Sequence, residues 1–154
     1  KKTASLISSC CALGAASTNS SQKIIDELSS FGQKIGMAFQ IKDDLFDYGE
    51  NKIGKPTGID LKEKKLTLPF IYALNNSDSD KRRWLKNSIK NHNLDKKRIK
   101  EVISYVKEIG GIDYTIKKLN KFHEKALKDL EKFPKNKYRD HLKSLVDYVI
   151  DRKY

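Results

Sequence analysis

The chain has 154 residues, of which 34% are charged and 38% hydrophobic, and its formal net charge is +12. It lacks an apolar run long enough for a transmembrane helix and an apolar N-terminal core typical of a signal peptide. We therefore expect one cytoplasmic domain, or part of one.

The basic charge comes mostly from lysine, which supplies 27 of the 32 basic residues. Arginine is the preferred residue for base recognition and for bidentate phosphate binding. The composition therefore favours a solvated basic surface, with at most a weak attraction to anionic membranes, over nucleic-acid binding.

Hydrophobic periodicity predicts helices and turns along the whole chain, and no strand pattern or internal repeat. The predicted fold class is all-α. The expected helices are Lys2–Ala16, Gln22–Asp47, Thr67–Asn75, Ser79–Lys90, Asp95–Ile109, Asp113–Leu130 and Asn136–Lys153. A glycine- and proline-containing loop from Tyr48 to Lys65 is long enough to be functional.

The first helix is rich in small residues suited to close packing. It contains both cysteines of the chain, Cys10 and Cys11, whose adjacent positions match no zinc or redox motif. We expect both to be small, buried packing residues.

The second helix carries two neighbouring stripes. One is apolar at three- and four-residue steps and predicts a core face: Ile24, Leu28, Phe31, Ile35, Ala38 and Leu45. The other runs from Gly32 and Gly36 through Gln40 to three aspartates. Because a mid-helix glycine costs about 1 kcal/mol relative to alanine, the pair indicates that a helix or an apolar ligand comes close.

Those aspartates, Asp43, Asp44 and Asp47, place three carboxylates within five residues near a helix C-terminus. Like charges repel there, and the helix macrodipole already favours cations. Lysines follow in the loop at positions 52, 55, 62, 64 and 65. Carboxylates facing lysines suit a Mg²⁺-bridged phosphate group, because Mg²⁺ binds through one or two carboxylates together with phosphate oxygens.

These residues resemble the all-trans polyprenyl (isoprenyl) diphosphate synthase family. Phe39-Gln40 followed by Asp43-Asp44-x-x-Asp47 resembles its second aspartate-rich motif, and Lys2-Thr3-Ala4 resembles its Lys-Thr pair. Gly54-Lys55-Pro56 and the run from Asp60 to Pro69 resemble the segment after that motif. Lys64 departs from the family, which often has glycine there. The resemblance covers residues 2 to about 74.

The resemblance implies roles for the matched residues. Asp43, Asp44 and Asp47 would bind Mg²⁺, the last through water. Diphosphate oxygens would be contacted by Lys2, Lys55 and Lys65. Thr3 and Gln40 would touch the diphosphate or stabilise cationic charge. Phe39 would border a prenyl groove, and Asp60 would orient Lys55 or Lys65.

The family has a first aspartate-rich motif upstream of the Lys-Thr pair, and this chain has no second DDxxD. The resemblance therefore implies that residues 1–154 are the C-terminal part of a single synthase domain with a helical-bundle fold. It further implies a homodimeric full-length enzyme that condenses isopentenyl diphosphate with an allylic diphosphate, using several Mg²⁺ ions shared with the missing motif. The isolated chain is expected to be inactive. Thr67-Leu68-Pro69 is most similar to medium- and long-chain (octaprenyl-type) members, which make quinone side chains.

Three alternatives stay open. A non-catalytic regulatory subunit of a synthase would keep this half of the site. A terpene cyclase would share the fold and the metal but would lack the Lys-Thr and Gly-Lys signals. A basic helical module that binds nucleic acid would use the positive charge instead.

Overall fold

The computed structural model describes residues 2–49 and 57–152, and every regular element within these ranges is an α-helix. The all-α prediction is confirmed. The helices are α1 (Lys2–Ala16), α2 (Gln22–Phe46), α3 (Ile59–Lys62), α4 (Leu68–Asn76), α5 (Ser79–Asn91), α6 (Lys96–Glu108), α7 (Gly111–Leu130) and α8 (Lys137–Asp151). None of these helices is both long enough and apolar enough to cross a membrane.

The predicted helix boundaries agree with the observed ones to within two residues wherever both ends are described. The predicted loop from Tyr48 to Lys65 is wrong in one part, because residues 59–62 form the short helix α3. Lys52, Gly54, Lys55 and Pro56 lie outside the described residues, as does the predicted end of the last helix at Lys153.

The chain divides into two compact units. The first comprises the described residues of 1–42 and 118–153, and the second comprises those of 43–117.

In the first unit, α1 and α2 pack closely and antiparallel at the two glycines of α2. A Cβ atom added at Gly36 would lie 2.5 Å from the Cα of Ala4. One added at Gly32 would lie 2.8 Å from both the Ile7 carbonyl oxygen and the Cys11 sulfur. The prediction that these glycines admit a neighbouring helix is confirmed.

Two predictions about burial in the first unit are wrong. Cys10 is exposed and Cys11 is only half-buried. Successive side chains on a helix point about 100° apart, so α2 covers the Cys11 side and leaves Cys10 in solvent. On α2, Phe31, Ile35 and Ala38 are buried as expected, but Ile24 in the first turn is 37% exposed.

Polar contacts also join the helices of the first unit. Lys34 of α2 donates a hydrogen bond to the buried carboxylate of Asp129 on α7. His123 of α7 and Asp147 of α8 are 2.8 Å apart. These contacts fix α7 against both of its neighbours.

In the second unit, a buried apolar cluster joins the loop after α2 to the helices α3–α6. It contains Tyr48, Leu61, Phe70, Ala73, Leu85, Ile89, Ile99, Val102, Ile103 and Val106. Burial of apolar surface is the dominant favourable contribution to folding. Because Tyr48 follows Asp47 and Leu61 follows Asp60, the same cluster fixes the backbone that carries these two carboxylates.

Candidate functional site

The carboxylate cluster lies at the end of α2. The helix ends at Phe46, where the Tyr48 N–H bonds to the Leu45 carbonyl at 3.1 Å. Asp43 and Asp44 therefore belong to the last helical turn, whereas Asp47 stands one residue beyond it. This arrangement lets the Asp47 carboxylate turn toward the next segment of the chain.

Asp44 caps the N-terminus of α4. Its Oδ2 atom accepts the backbone N–H of Leu68, the first residue of α4, at 2.8 Å. Thr67 occupies the N-cap position but makes no capping bond with its own side chain. The distant carboxylate thus satisfies a donor that would otherwise lack a helical partner, and its charge suits the positive end of the helix macrodipole.

Asp47 likewise accepts a backbone N–H in the first turn of α3. Its Oδ1 atom accepts the Asp60 N–H at 3.2 Å, and its backbone carbonyl accepts the Gly58 N–H at 3.0 Å. Gly58 has φ +77°, a left-handed conformation that glycine adopts without strain. Asp47 is 8% exposed, and among the described residues its Oδ2 atom has no hydrogen-bond partner. A buried acceptor without a partner is costly, so a cation or a bound donor suits this position.

Burial raises the pKa of both Asp44 and Asp47. Backbone N–H groups of Leu68 and Asp60 oppose this shift, whereas neighbouring carboxylates increase it. The ionised cluster is therefore electrostatically unfavourable by itself. Perturbed carboxylates of this kind are typical of sites that hold a positive partner.

Lys65 is held by two carboxylates. Its Nζ lies 3.0 Å from Asp60 Oδ1 and 2.7 Å from Glu63 Oε2, and these contacts raise the pKa of Lys65. The side chain is nevertheless 60% exposed, so the ammonium group can also reach a ligand. Asp60 was predicted to orient Lys55 or Lys65, and the structure shows its contact with Lys65.

Lys64, the departure from the family pattern, points elsewhere. Its φ is +59°, in the left-handed region, and its Nζ donates to the Lys90 carbonyl at the end of α5 at 3.0 Å. A cation at a helix C-terminus is favourable. The extra positive charge of Lys64 therefore stabilises the C-terminal end of α5.

A buried hydrogen bond close to the cluster was missed by the sequence analysis. The Tyr48 and Thr67 hydroxyls lie 2.6 Å apart, and burial raises the pKa of Tyr48. The bond links the end of α2 to the start of α4, beside the contact between Asp44 and Leu68. Thr67 precedes a Leu-Pro helix start, which is a recognisable N-cap signal, but the sequence gives no sign of its partner.

The first unit contains the other predicted residues. Lys2 is exposed at the start of α1, and Thr3 is half-buried. The contact between Ala4 and Gly36 places this end of α1 beside the α2 segment just before Phe39 and Gln40, which are both half-buried.

Arg152 is a further residue that the sequence analysis missed. Its guanidinium carbon lies 3.7 Å from the centroid of the Phe39 ring, and its Nη2 donates to the Phe39 carbonyl at 2.8 Å. Only the fold brings these residues together, because they are 113 positions apart in the chain.

Among the described residues, no group of three or more His, Cys, Asp or Glu side chains is arranged to hold a metal ion. This does not conflict with Mg²⁺, which retains several waters and binds through one or two carboxylates plus substrate phosphates. The donor set fits such an ion: hard carboxylate oxygens, a buried Asp47 oxygen open to a partner, and pKa values already raised by burial.

Comparison with known proteins gives the family. The family model described as Polyprenyl synthetase matches residues 1–106. The chain therefore belongs to the polyprenyl synthetase family. It is 33% identical to heptaprenyl diphosphate synthase component 2 of Bacillus subtilis, matching 100% of this chain and 44% of that protein. The corresponding protein of Geobacillus stearothermophilus is 35% identical, and the match covers 100% of this chain and 48% of that protein. The chain thus spans about half the length of the curated relatives it matches.

Solved structures agree with this assignment. A decaprenyl diphosphate synthase from Rhodobacter capsulatus superposes with a TM-score of 0.90 at 32% identity, covering 99% of this chain and 48% of that one. A geranylgeranyl pyrophosphate synthase from Bacteroides thetaiotaomicron superposes with a TM-score of 0.89 at 35% identity, covering 97% of this chain and 50% of that one. A Caulobacter crescentus polyprenyl synthase is described as complexed with calcium and isoprenyl diphosphate. It superposes with a TM-score of 0.87 at 28% identity, covering 99% of this chain and 47% of that one. The fold is that of the trans-prenyl diphosphate synthases.

Proposed function

We propose that residues 1–154 form the C-terminal half of a single trans-polyprenyl diphosphate synthase domain, and that the complete domain transfers prenyl groups to isopentenyl diphosphate. The observation that carries this proposal is the family match over residues 1–106. The matched range includes the carboxylate cluster at the end of α2 and Lys65, which follows α3. Several relatives are named heptaprenyl to solanesyl diphosphate synthases, which favours a medium or long product. A Methanocaldococcus jannaschii relative at 33% identity is named a short chain isoprenyl diphosphate synthase.

Asp43, Asp44 and Asp47 would hold Mg²⁺. Each of the last two has one oxygen bonded to a backbone N–H, which fixes the carboxylate and leaves its other oxygen for the ion or its water. The calcium complex of the Caulobacter relative supports a divalent cation in this family. When bound, Mg²⁺ would neutralise part of the negative charge that develops on the departing diphosphate.

Lys65 would bind a diphosphate oxygen by exchanging one of its carboxylate partners, and Asp60 would hold the ammonium group in place. Lys2 and Lys55 have the same proposed role. Thr3 and Gln40 have neutral oxygens, which could contact the diphosphate or stabilise cationic charge. Phe39, held by Arg152, would border the prenyl chain.

The reaction needs no activated side-chain nucleophile. The allylic C–O bond breaks and its electron pair leaves with the diphosphate, which produces an allylic cation. The double bond of isopentenyl diphosphate attacks that cation to form the new C–C bond, and a proton is then lost to the released diphosphate. Because the barrier is charge separation, fixed charges and dipoles supply most of the catalysis.

A second candidate function is a subunit role. Two of the most similar relatives are named component 2 of a heptaprenyl diphosphate synthase. Such a name indicates a synthase with a further component, so this chain could belong to a hetero-oligomer instead of the homodimer that the resemblance implies. A cytoplasmic location and a weak contact with anionic membranes remain predictions.

The proposal can be tested in a chimera in which this chain replaces the matched half of the Rhodobacter capsulatus decaprenyl diphosphate synthase. A chimera that melts cooperatively should elongate farnesyl diphosphate with labelled isopentenyl diphosphate in the presence of Mg²⁺. The matched control is the same chimera with Asp44→Ala and Asp47→Ala. A folded chimera without Mg²⁺-dependent product would contradict the enzymatic function and favour a non-catalytic subunit.

A further inference from the structure

The positive charge of the chain is concentrated in one segment. Residues 81–100 contain nine lysines and arginines but a single acidic residue, Asp95, so they carry +8 of the chain's net charge of +12. They comprise most of α5, the connection to α6 and the start of α6. We call residues 81–100 the basic segment. A general preference for lysine along the chain does not explain this concentration.

The basic segment presents its charge to solvent. Eight of its nine basic side chains are exposed: Lys81, Arg82, Arg83, Lys86, Lys90, Lys96, Lys97 and Lys100. Its one carboxylate is engaged within the chain, because Asp95 caps α6 by accepting the N–H groups of residues 97 and 98 at 2.9 and 3.2 Å. A surface with charges of one sign attracts a partner of the opposite sign.

An exposed apolar side chain lies within this positive surface. Leu94 is in the connection between α5 and α6 and is 79% exposed, with exposed lysines at positions 90, 96 and 97. A single exposed leucine is ordinary on a protein surface. Together with the surrounding lysines, however, it matches a peripheral membrane contact, in which basic residues meet anionic headgroups and an apolar side chain enters the boundary of the acyl chains.

The contacts of the arginines and of the tryptophan favour a lipid surface over nucleic acid. Arg82 donates to two backbone carbonyls at the end of α4. The Trp84 ring already has two cations nearby, with Lys81 Nζ 5.4 Å and the Arg98 guanidinium carbon 5.5 Å from its centroid. It is therefore a poor platform for stacking bases. The remaining cations are mainly lysines, whose compact charges suit a diffuse attraction to headgroups.

We propose that the basic segment is a docking surface for an anionic lipid bilayer. Its lysines contact the headgroups, and Leu94 enters the headgroup region at the tip between α5 and α6. This docking does not depend on catalysis by the complete protein. Only its consequence, the release of a lipid product close to a bilayer, rests on the proposed function.

Backbone contacts connect the basic segment to the candidate site. The Asn93 side chain donates from Nδ2 to the Lys62 carbonyl at 2.5 Å, and Lys64 Nζ donates to the Lys90 carbonyl at 3.0 Å. Lys62 ends α3, and Lys65 follows three residues later. The tip that carries Leu94 is thus fixed beside the segment with a proposed diphosphate contact, so a bilayer docked there would lie close to the site.

Co-sedimentation of the 154-residue chain with lipid vesicles tests the docking. The probe is a vesicle of phosphatidylcholine with about one-third phosphatidylserine, and the reference is a vesicle of phosphatidylcholine alone. At low salt the chain should bind the anionic vesicles at least about tenfold more tightly. High salt should reduce this preference, because it screens exposed charges. Equal binding to the two kinds of vesicle would overturn the proposal.

Two variants with the same loss of charge locate the surface. The first changes four exposed lysines of the basic segment: Lys86→Gln, Lys90→Gln, Lys97→Gln and Lys100→Gln. The control changes four exposed lysines of α7: Lys117→Gln, Lys121→Gln, Lys125→Gln and Lys128→Gln. Both should keep the helical content of the parent by circular dichroism. The first should bind anionic vesicles at least about tenfold more weakly, since each basic residue near the surface contributes about fivefold, and the control should lose less than about threefold. Equal losses would show a diffuse attraction and overturn the proposal.

Leu94→Asn separates membrane insertion from attraction by charge alone. It should weaken binding to anionic vesicles by about fivefold, because the apolar side chain no longer enters the boundary. Unchanged binding would contradict insertion at the tip. Duplex DNA is the competing probe: if it binds more tightly than the vesicles and the lysine variant of the basic segment loses that binding, the surface is a nucleic-acid site and the proposal fails. No substrate or Mg²⁺ is present, so the result is independent of whether the complete protein catalyses prenyl transfer.

Discussion

At the scale of single residues, the candidate site around α3 is held in place by hydrogen bonds between carboxylates and their donors, which are backbone N–H groups and a lysine. Asp47 accepts the N–H of Asp60 in α3, Asp44 accepts the N–H of Leu68 at the start of α4, and Asp60 binds Lys65. Lys64 lies between these contacts with a left-handed backbone, which a residue with a Cβ atom adopts at a cost. The same carboxylates that could bind a cation thus also order the loop.

Lys64→Gly and Lys64→Ala form a matched pair for the cost of this conformation. Both remove the bond to the Lys90 carbonyl, but only glycine relieves the left-handed backbone. We expect the glycine variant to be more stable than the alanine variant by about 1 kcal/mol. Urea unfolding followed by circular dichroism measures the difference. Equal stability of the two variants would show that position 64 is not strained.

At the scale of helices, the sequence predicted every helix of the described residues except α3, and the exceptions have physical causes. Amphipathic periodicity is clear in α2 and in α5–α8, whereas α1 was predicted from its run of small residues. The four residues of α3 contain only two apolar positions, and its ends depend on a left-handed glycine and on a carboxylate 13 positions away. The exposure of Cys10 was missed for a similar reason, since periodicity cannot show which sides of an uncharged helix find a partner.

The glycines of the first unit allow a direct test of the α1–α2 contact. Gly36→Ala should destabilise the chain by about 1–3 kcal/mol, because the new Cβ atom would meet the backbone of Ala4. Gly14→Ala is the control: apart from its own turn of helix, no atom of the described residues lies within 4 Å of its added Cβ, so the change should stabilise α1 by up to about 1 kcal/mol. Thermal melts of the two variants should shift in opposite directions. Shifts in the same direction would argue against close packing at Gly36.

The buried carboxylate of Asp129 should give the first unit a pH-dependent stability. Burial by itself raises the pKa of Asp129, but hydrogen bonds from Lys34 and Lys132 hold it below the usual value of 3.8. A depressed pKa stabilises the folded chain above 3.8, and this contribution is lost as the pH falls through the folded-state pKa. Asp129→Asn should therefore reduce the free energy of unfolding at pH 6 and have a smaller effect at pH 3. Denaturant titrations at the two pH values measure this, and an effect that grows toward pH 3 would contradict it.

At the scale of the whole molecule, the sequence was sufficient for the family and for the order of the motifs, because an aspartate-rich motif after a helical stripe is a local signal. It was not sufficient for the contacts that support the site. Two contacts join distant parts of the chain: the guanidinium group of Arg152 lies over the Phe39 ring, and the Thr67 hydroxyl bonds to the Tyr48 hydroxyl. Neither pair has a signature in the sequence. The relatives are about twice as long as this chain, which sets an expectation for the activity of the isolated chain.

The isolated 154-residue chain should not form a C–C bond between farnesyl diphosphate and isopentenyl diphosphate in the presence of Mg²⁺. Its sequence contains one DDxxD motif, whereas the proposed reaction holds the allylic diphosphate between two such motifs. A radiolabelled-product assay on a preparation free of other synthases checks this. Turnover by such a preparation would show that a single cluster is sufficient.

The most direct test of the central claim is Asp43→Asn in the chimera, with a melting curve measured beside a Mg²⁺ titration of the initial rate. The substitution keeps the size of the side chain and removes one negative charge from the cluster. If the cluster binds Mg²⁺ and diphosphate, the chimera should remain equally or more stable, because like-charge repulsion and the unfavourable helix-end charge decrease. Its turnover should fall by orders of magnitude and its Mg²⁺ requirement should rise, because an amide is a poor ligand for a hard cation. A variant that is stable and fully active at the original Mg²⁺ concentration would contradict the assignment of Asp43 to the site.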